Sequence, residues 1–140
     1  MSAQENARVV RAHYALFNKR DFDQAAILNA PDATWVNVAT GETFRGPEGY
    51  RQFVQGWATA FPDARVEVTR LVADEEGAAA EFIGRGAHNG PLKGPAGEVP
   101  PTGRAIEMPF CEVFRMKEGK VAGVRLYFDT ATLMRQLGLT

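Results

Sequence analysis

The chain has 140 residues and a formal net charge of −1, and aromatic residues make up 10% of it. This length allows one domain to bury its own core. The Lys and Arg residues are scattered and form no basic field, which excludes nucleic acid and anionic membrane surfaces as partners.

The N-terminus and the cysteine content bear on the compartment. The first residues contain no apolar stretch followed by a cleavage site, and no apolar run is long enough to span a bilayer. Cys111 is the only cysteine, which excludes an internal disulfide framework and suits reducing surroundings. We therefore expect a cytoplasmic protein with no membrane partner.

Two helices are predicted in the first thirty residues. Ser2, followed three residues later by a glutamate, has the spacing of a capping box, and apolar residues then recur at helical spacing as far as Asn18. Asp21 repeats the capping signal for a short second helix, which we expect Pro31 to end.

A short hairpin and a third helix come next. Residues 33–37 have the composition of a strand, and residues 39–44 form a turn with a short return strand. Gly46 and Pro47 begin a helix that Pro62 ends. One stripe of this helix presents a broad aromatic face, formed by Tyr50, Phe53, Val54, Trp57 and Phe61.

The rest of the chain alternates as strands joined by turns. The predicted strands cover residues 65–73, 78–88, 104–116 and 121–128, with a Gly- and Pro-rich loop at residues 89–103. Pro109 predicts a bulge or bend in its strand, and residues 132–137 form a closing helix. This order predicts one α+β domain, residues 1–140, with helices on one side of a curved antiparallel or mixed sheet.

The available residues exclude several kinds of catalytic site. Ser2 is the only serine, so no serine triad exists. His13 and His88 are not at metal-ligand spacing from another soft ligand, which argues against a zinc site. The glycines of residues 84–90 end a strand and break the dinucleotide pattern, and no phosphate loop is present. No cofactor or metal is indicated, which leaves acid-base chemistry by isolated side chains in an aromatic cavity.

Three segments together form a family pattern. The run GAHNG at residues 86–90, followed by PTGR at residues 101–104, is similar to G-T-H-x-G … P-T-G-[KR], with Ala87 in place of threonine. Residues 114–121 read FRMKEGKV, and residues 129–138 begin with Asp129 and end in QLG. In this order the segments resemble the SnoaL-like polyketide cyclases, or ester cyclases, of the nuclear transport factor 2-like superfamily.

The resemblance implies a cystatin-like, cone-shaped α+β fold with helices packed on the concave side of the sheet. It also implies an intramolecular aldol closure without cofactor or metal, in which Asp129 acts as acid and base and His88 lies near it. Two features depart from the family pattern, namely extra residues at positions 95–100 and Arg125 at a position where many relatives carry an aromatic residue.

The last strand offers two polar or apolar faces. Alternation places the odd-numbered residues from Arg125 to Asp129 on one face and the even-numbered residues from Val124 to Phe128 on the other. We assign the first face to the pocket, where Arg125 would select an anionic or strongly polar group. The second face would form a homodimer interface. The reverse assignment, with the apolar residues under the helices, is the alternative.

The candidate site residues each have a structural alternative. Asp129 precedes a helix and can be its N-cap, His88 can be a loop residue, and Asn37 can be a turn residue. Glu112 is not a candidate, because the bend expected at Pro109 makes its face uncertain. The predicted catalytic residues are Asp129 and His88, and the predicted substrate-binding residues are Tyr14, Phe17, Trp35, Asn37, Tyr50, Phe53, Trp57, Phe82, Arg125 and Tyr127.

The leading hypothesis is a cofactor-free cyclase, isomerase or lyase that acts on a small hydrophobic carbonyl compound. One alternative is a small-molecule binding domain without catalysis, since fold alone does not define function. The other is an epoxide-type hydrolase, in which Asp129 orients water and Arg125 is its partner.

Overall fold

The computed structural model of the protein describes residues 2–139. Its helices are α1 (Ala3–Asn18), α2 (Phe22–Ile27), α3 (Gly46–Ala60) and α4 (Thr130–Gln136). Its strands are β1 (Asn29–Asn37), β2 (Glu42–Arg45), β3 (Arg65–Ala73), β4 (Gly77–Ala87), β5 (Leu92–Gly94), β6 (Gly97–Val99), β7 (Ala105–Lys117) and β8 (Lys120–Tyr127). Within residues 2–139, no helix combines the length and the apolar character needed to cross a membrane.

The first two helices begin where their capping residues predict. The hydroxyl of Ser2 accepts a 3.1 Å hydrogen bond from the N–H of Glu5, and the carboxylate of Asp21 caps α2 in the same way. The prediction that Pro31 ends α2 is wrong. The helix ends at Ile27, and Pro31 lies inside β1 in the stretch where the pairing with β8 changes register.

Six strands form one sheet in the order β2-β1-β8-β7-β4-β3. The strands β1 and β8 pair in parallel and the other neighbours pair antiparallel, so the sheet is mixed. The short strands β5 and β6 form a separate hairpin within residues 89–103, which the sequence predicts only as a loop. The predicted α+β class with one curved sheet and accompanying helices is confirmed.

The core lies between one face of the sheet, here called the inner face, and the helices α1 and α3. Along β7 the even-numbered residues from Ile106 to Met116 are buried, and the odd-numbered residues are exposed or half-buried. This alternation gives the sheet one apolar face for the core and one polar face toward solvent. The inner face therefore also forms one wall of the site.

The bulge predicted at Pro109 is absent. Pairing between β4 and β7 continues without a register shift, with Pro109 opposite Ile83. The last pair between β7 and β8 joins Cys111 to Tyr127, so β8 has already ended beside Pro109. A proline lacks only the backbone N–H, and at this position no neighbouring strand needs that donor.

The assignment of the two faces of β8 is also wrong. Val124 and Leu126 are buried in the core, whereas Arg125 and Tyr127 are exposed. The apolar residues pack under the helices because burying them gains more than exposing them to a partner. The predicted dimer interface therefore lies on a face that is already covered, while the dimer itself stays a prediction.

Candidate functional site

A cavity of about 80 Å³ lies between α1, α3 and the inner face of the sheet. Aromatic rings form most of its wall. Six predicted binding residues line it, and they are Tyr14, Phe17, Trp35, Phe53, Trp57 and Phe82. Phe61 and Phe110 complete the aromatic wall. The cavity is smaller than the roughly 150 Å³ cavity that holds one benzene molecule in an engineered protein, so it suits a small ligand.

Glu112 places a carboxyl group inside this apolar cavity. It is 4% exposed and lies on β7, paired with Ala80 of β4 and Leu126 of β8. Its Oε1 accepts a 2.7 Å hydrogen bond from the hydroxyl of Tyr14. Its Oε2 makes no hydrogen bond within residues 2–139, which leaves this oxygen for a ligand.

The surroundings bring the protonation of Glu112 close to neutral pH. Burial raises the pKa of Glu112 to about 7, although the hydrogen bond from Tyr14 acts in the opposite direction. Burial, and then the charge of Glu112, raise the pKa of Tyr14 well above its usual range. The phenol is therefore a lasting hydrogen-bond donor, and the carboxyl group can both accept and return a proton near pH 7.

His13 and Tyr50 lie beside this pair. His13 lines the cavity, and its ring is 5.3 Å from that of Tyr50 and 5.1 Å from that of Trp35, measured between centroids. Burial lowers the pKa of His13 to about 3, so the imidazole is neutral at pH 7. Tyr50 is completely buried behind the wall, and burial followed by the charge of Glu112 raises its pKa.

The cavity reaches the surface at the first residues of β3 and the last residues of β4. In the described part of the chain, Arg65 and Arg85 are its exposed lining residues, and they lie opposite each other in the sheet. Arg85 forms ion pairs with Glu67 at 2.9 Å and with Glu107 at 3.3 Å. No group of three or more His, Cys, Asp or Glu residues in positions 2–139 is arranged to hold a metal ion.

Asp129, one of the two predicted catalytic residues, does not line the cavity. It is exposed and caps α4, where its Oδ1 accepts from the N–H groups of Ala131 at 2.9 Å and Thr132 at 3.4 Å. The hydrogen bonds from Thr132 are the main reason why its pKa is lowered. The prediction that Asp129 lines the pocket is wrong, because β8 ends at Tyr127 and the chain then leaves the sheet.

His88, the other predicted catalytic residue, is fully buried but lies outside the cavity lining. Its ring packs against Phe61, 5.4 Å between centroids, and Phe61 forms the wall in front of it. Its Nδ1 accepts the N–H of Thr102 at 3.2 Å, and burial lowers its pKa. In this position His88 holds the end of the loop that precedes β7.

Three predicted binding residues also lie away from the cavity. Asn37 forms a turn, in which its Oδ1 accepts the N–H of Ala39 at 3.1 Å. Arg125 and Tyr127 are exposed on the outer face of β8, where Nε of Arg125 donates to the hydroxyl of Tyr127 at 2.9 Å. The predicted selection of an anionic ligand by Arg125 is therefore wrong. The epoxide-type hydrolase loses its residues for the same reason, since Asp129 is exposed as well.

Sequence reasoning missed Glu112, although a signal for it exists. Glu112 is the one acidic residue at the even positions of β7, which otherwise hold Ile, Met and Phe. A carboxylate in a run of buried alternate positions indicates a functional group. The bend expected at Pro109 hid this pattern, because a bend would have moved Glu112 to the other face.

Comparisons with known proteins agree with this architecture. The family model described as SnoaL-like polyketide cyclase matches residues 7–137. The comparison with curated proteins found no match. Among solved structures, IdmH from Streptomyces antibioticus, a proposed polyketide cyclase, is 28% identical, with a TM-score of 0.76, covering 95% of this chain and 98% of its own.

Two further structures share the fold at lower identity. TsrD from Streptomyces laurentii is 24% identical with a TM-score of 0.83, covering 100% of this chain and 99% of its own. A protein with a ketosteroid isomerase-like fold from Catenulispora acidiphila, in complex with trimethylamine, is 19% identical. Its TM-score is 0.78, and the match covers 94% of this chain and 93% of that one.

Proposed function

Because the chain belongs to the SnoaL-like polyketide cyclase family, we propose that it is a cofactor-independent acid/base enzyme for a small hydrophobic carbonyl compound. Glu112 is its proton-transferring residue. The observation that carries this proposal is a buried carboxyl group in an aromatic cavity, bonded at 2.7 Å to Tyr14 and with a pKa of about 7. This role replaces the one that the sequence pattern suggests for Asp129 and His88.

The first step is removal of a proton from the carbon next to a carbonyl group. Oε2 of the ionised Glu112 takes the proton, the C–H electron pair forms the enolate double bond, and the carbonyl π pair moves to the oxygen. The hydroxyl of Tyr14 donates a hydrogen bond either to the carboxylate or to the enolate oxygen. The apolar walls exclude water, which strengthens these interactions and protects the enolate.

Three outcomes share this step. The protonated Glu112 can return the proton to the same carbon, which exchanges hydrogen, or to a different carbon, which isomerises the compound. Alternatively the enolate carbon attacks a second carbonyl in the same molecule, a C–C bond forms, and the resulting alkoxide takes the proton from Glu112. The last outcome is a ring closure by aldol addition, and Glu112 returns to its ionised form in each case.

Hydrogen exchange tests the shared step without knowledge of the natural substrate. Small monoketones, beginning with pentan-2-one, are incubated in D₂O at pH 7.5, and loss of the α-proton signals is followed by NMR. We expect the protein to accelerate exchange, and Glu112→Gln to lower the rate by at least about 100-fold while it keeps the fold. Asp129→Asn is the control, because Asn also caps helices, and it should keep the wild-type rate.

The same experiment separates an enzyme from a binding domain. A binding domain would shift the ketone signals on addition of protein but would leave their exchange at the buffer rate. The enzyme proposal fails if no ketone in the series exchanges faster with wild-type protein, or if Glu112→Gln exchanges as fast as wild type.

A further inference from the structure

The rings beside Glu112 carry polar atoms of two kinds, those with a hydrogen-bond partner and those without one. The hydroxyl of Tyr14 donates to the buried carboxylate, and the indole N–H of Trp35 donates to Oδ1 of Asn29, each at 2.7 Å. By contrast, the hydroxyl of Tyr50 and Nδ1 of His13 have no partner within residues 2–139. Tyr50 is 0% exposed and His13 is 3% exposed, so bulk water does not satisfy them.

These two atoms belong to neighbouring side chains. The rings of His13 and Tyr50 are in edge-to-face contact at 5.3 Å, and both contact Trp35, at 5.1 Å and 4.9 Å. His13 forms part of the cavity wall. A buried polar atom without a partner destabilises the folded protein, and such atoms are rare in native structures. Two of them on adjoining rings at a cavity indicate a partner that the protein itself does not supply.

We propose that His13 and Tyr50 form a second polar subsite, which binds one oxygen atom of the ligand while Glu112 acts on another part of the same molecule. The substrate is then a small apolar compound with two oxygen functions, a diketone or a hydroxyketone. The hydroxyl of Tyr50 donates to the second oxygen, and a ring nitrogen of His13 donates to a carbonyl or accepts from a hydroxyl. The two-oxygen substrate class rests on the proposed function, since Glu112 takes the first carbonyl.

Matched pairs of probes test the subsite by binding alone. Pentane-2,4-dione, hexane-2,5-dione and heptane-2,6-dione are compared with the monoketones of the same carbon chain, pentan-2-one, hexan-2-one and heptan-2-one. We expect at least one dione to bind wild-type protein about 3- to 10-fold more tightly than its monoketone, the gain of one added hydrogen bond. Tyr50→Phe should remove this preference and leave the affinity for the monoketone unchanged.

Stability measurements separate a ligand subsite from a structural role. Tyr50→Phe removes a hydroxyl that has no partner in the protein, so its Tm should equal or exceed that of wild type. Tyr127→Phe is the matched control, because it removes an exposed hydroxyl outside the cavity, and it should keep the dione preference. His13→Phe, which retains a ring of similar shape, should also remove the preference.

The outcomes are distinct from those of the proposed function. A lower Tm of Tyr50→Phe together with equal losses of dione and monoketone affinity would show that the hydroxyl holds only a structural water, and would overturn the subsite. The same conclusion follows if no dione binds wild type more tightly than its monoketone. If hydrogen exchange is absent but Tyr50→Phe abolishes the dione preference, the subsite stands and the enzyme proposal falls.

Discussion

The hydroxyl of Tyr14 lies 2.7 Å from Oε1 of Glu112 and joins α1 to β7 across the cavity. The two residues are 98 positions apart in the chain, so their contact exists only in the folded protein. The phenol stabilises the ionised carboxylate, while the apolar surroundings favour the neutral acid. The balance of these two effects gives Glu112 a pKa of about 7.

The first prediction concerns the stability of Glu112→Gln. The pKa of Glu112 is about 7 in the folded protein against an ordinary value of 4.5, so its contribution to stability is complete below pH 4.5 and is lost as the pH rises through 7. Glutamine has no charge to desolvate. We therefore expect Glu112→Gln to match wild type near pH 4 and to exceed it by about 3 kcal/mol at pH 8, at about 1.4 kcal/mol for each pH unit.

Urea unfolding of both proteins at pH 4 and pH 8 measures this difference. The other titrating groups are common to the two proteins, so they cancel in the comparison. A stability difference that is the same at both pH values would show that Glu112 has an ordinary pKa in the folded state.

The second prediction concerns Tyr14→Phe and the pH profile of hydrogen exchange. Proton removal needs the ionised carboxylate, so the wild-type rate should rise with pH and level off above about 7. The hydrogen bond from Tyr14 lowers the pKa of Glu112. Without it the pKa rises, and the midpoint of the profile should move to higher pH. A profile of Tyr14→Phe with an unchanged midpoint and a reduced plateau would limit Tyr14 to the enolate.

The third prediction concerns acid unfolding and His13. Burial places the pKa of His13 at about 3 in the folded protein against 6.5 ordinarily. Its contribution to stability is therefore complete above pH 6.5 and is lost as the pH falls toward 3. We expect His13→Phe to lose less stability than wild type between pH 6.5 and 4, as measured by urea unfolding at both values. Parallel losses in the two proteins would contradict a buried neutral imidazole.

The fold was predictable because its signals are local. Ser2 and Asp21 start their helices with hydrogen bonds to residues three positions along the chain, and strand alternation reports burial without knowledge of the partner strand. The parallel pairing of β1 with β8 joins distant segments, and no local pattern encodes it. The position of Pro31 in a strand has the same origin, since the pairing of β1 overrides the usual helix-ending role of proline.

The candidate site was predicted only in part, for two physical reasons. Aromatic stripes on α1 and α3 identify a core face, and the cavity lies inside that face. The family-like residues, however, stabilise backbone. Asp129 caps α4, His88 binds the N–H of Thr102, and Gln136 bonds both the N–H and the carbonyl of Glu107 at the edge of β7. Such residues recur in a pattern because the chain path needs them, whichever side chain performs the chemistry.

The last prediction concerns Asp129 and separates these two kinds of residue. Its carboxylate accepts from two backbone N–H groups and from the hydroxyl of Thr132, so Asp129→Ala should free the start of α4 and lower Tm by a few degrees. Asp129→Asn retains a side-chain acceptor and should lower Tm less. Because the residue is exposed and outside the cavity lining, both variants should exchange pentan-2-one protons at the wild-type rate. Loss of exchange in Asp129→Asn with an unchanged Tm would mean that the carboxylate reaches the substrate, and Glu112 would then not act alone.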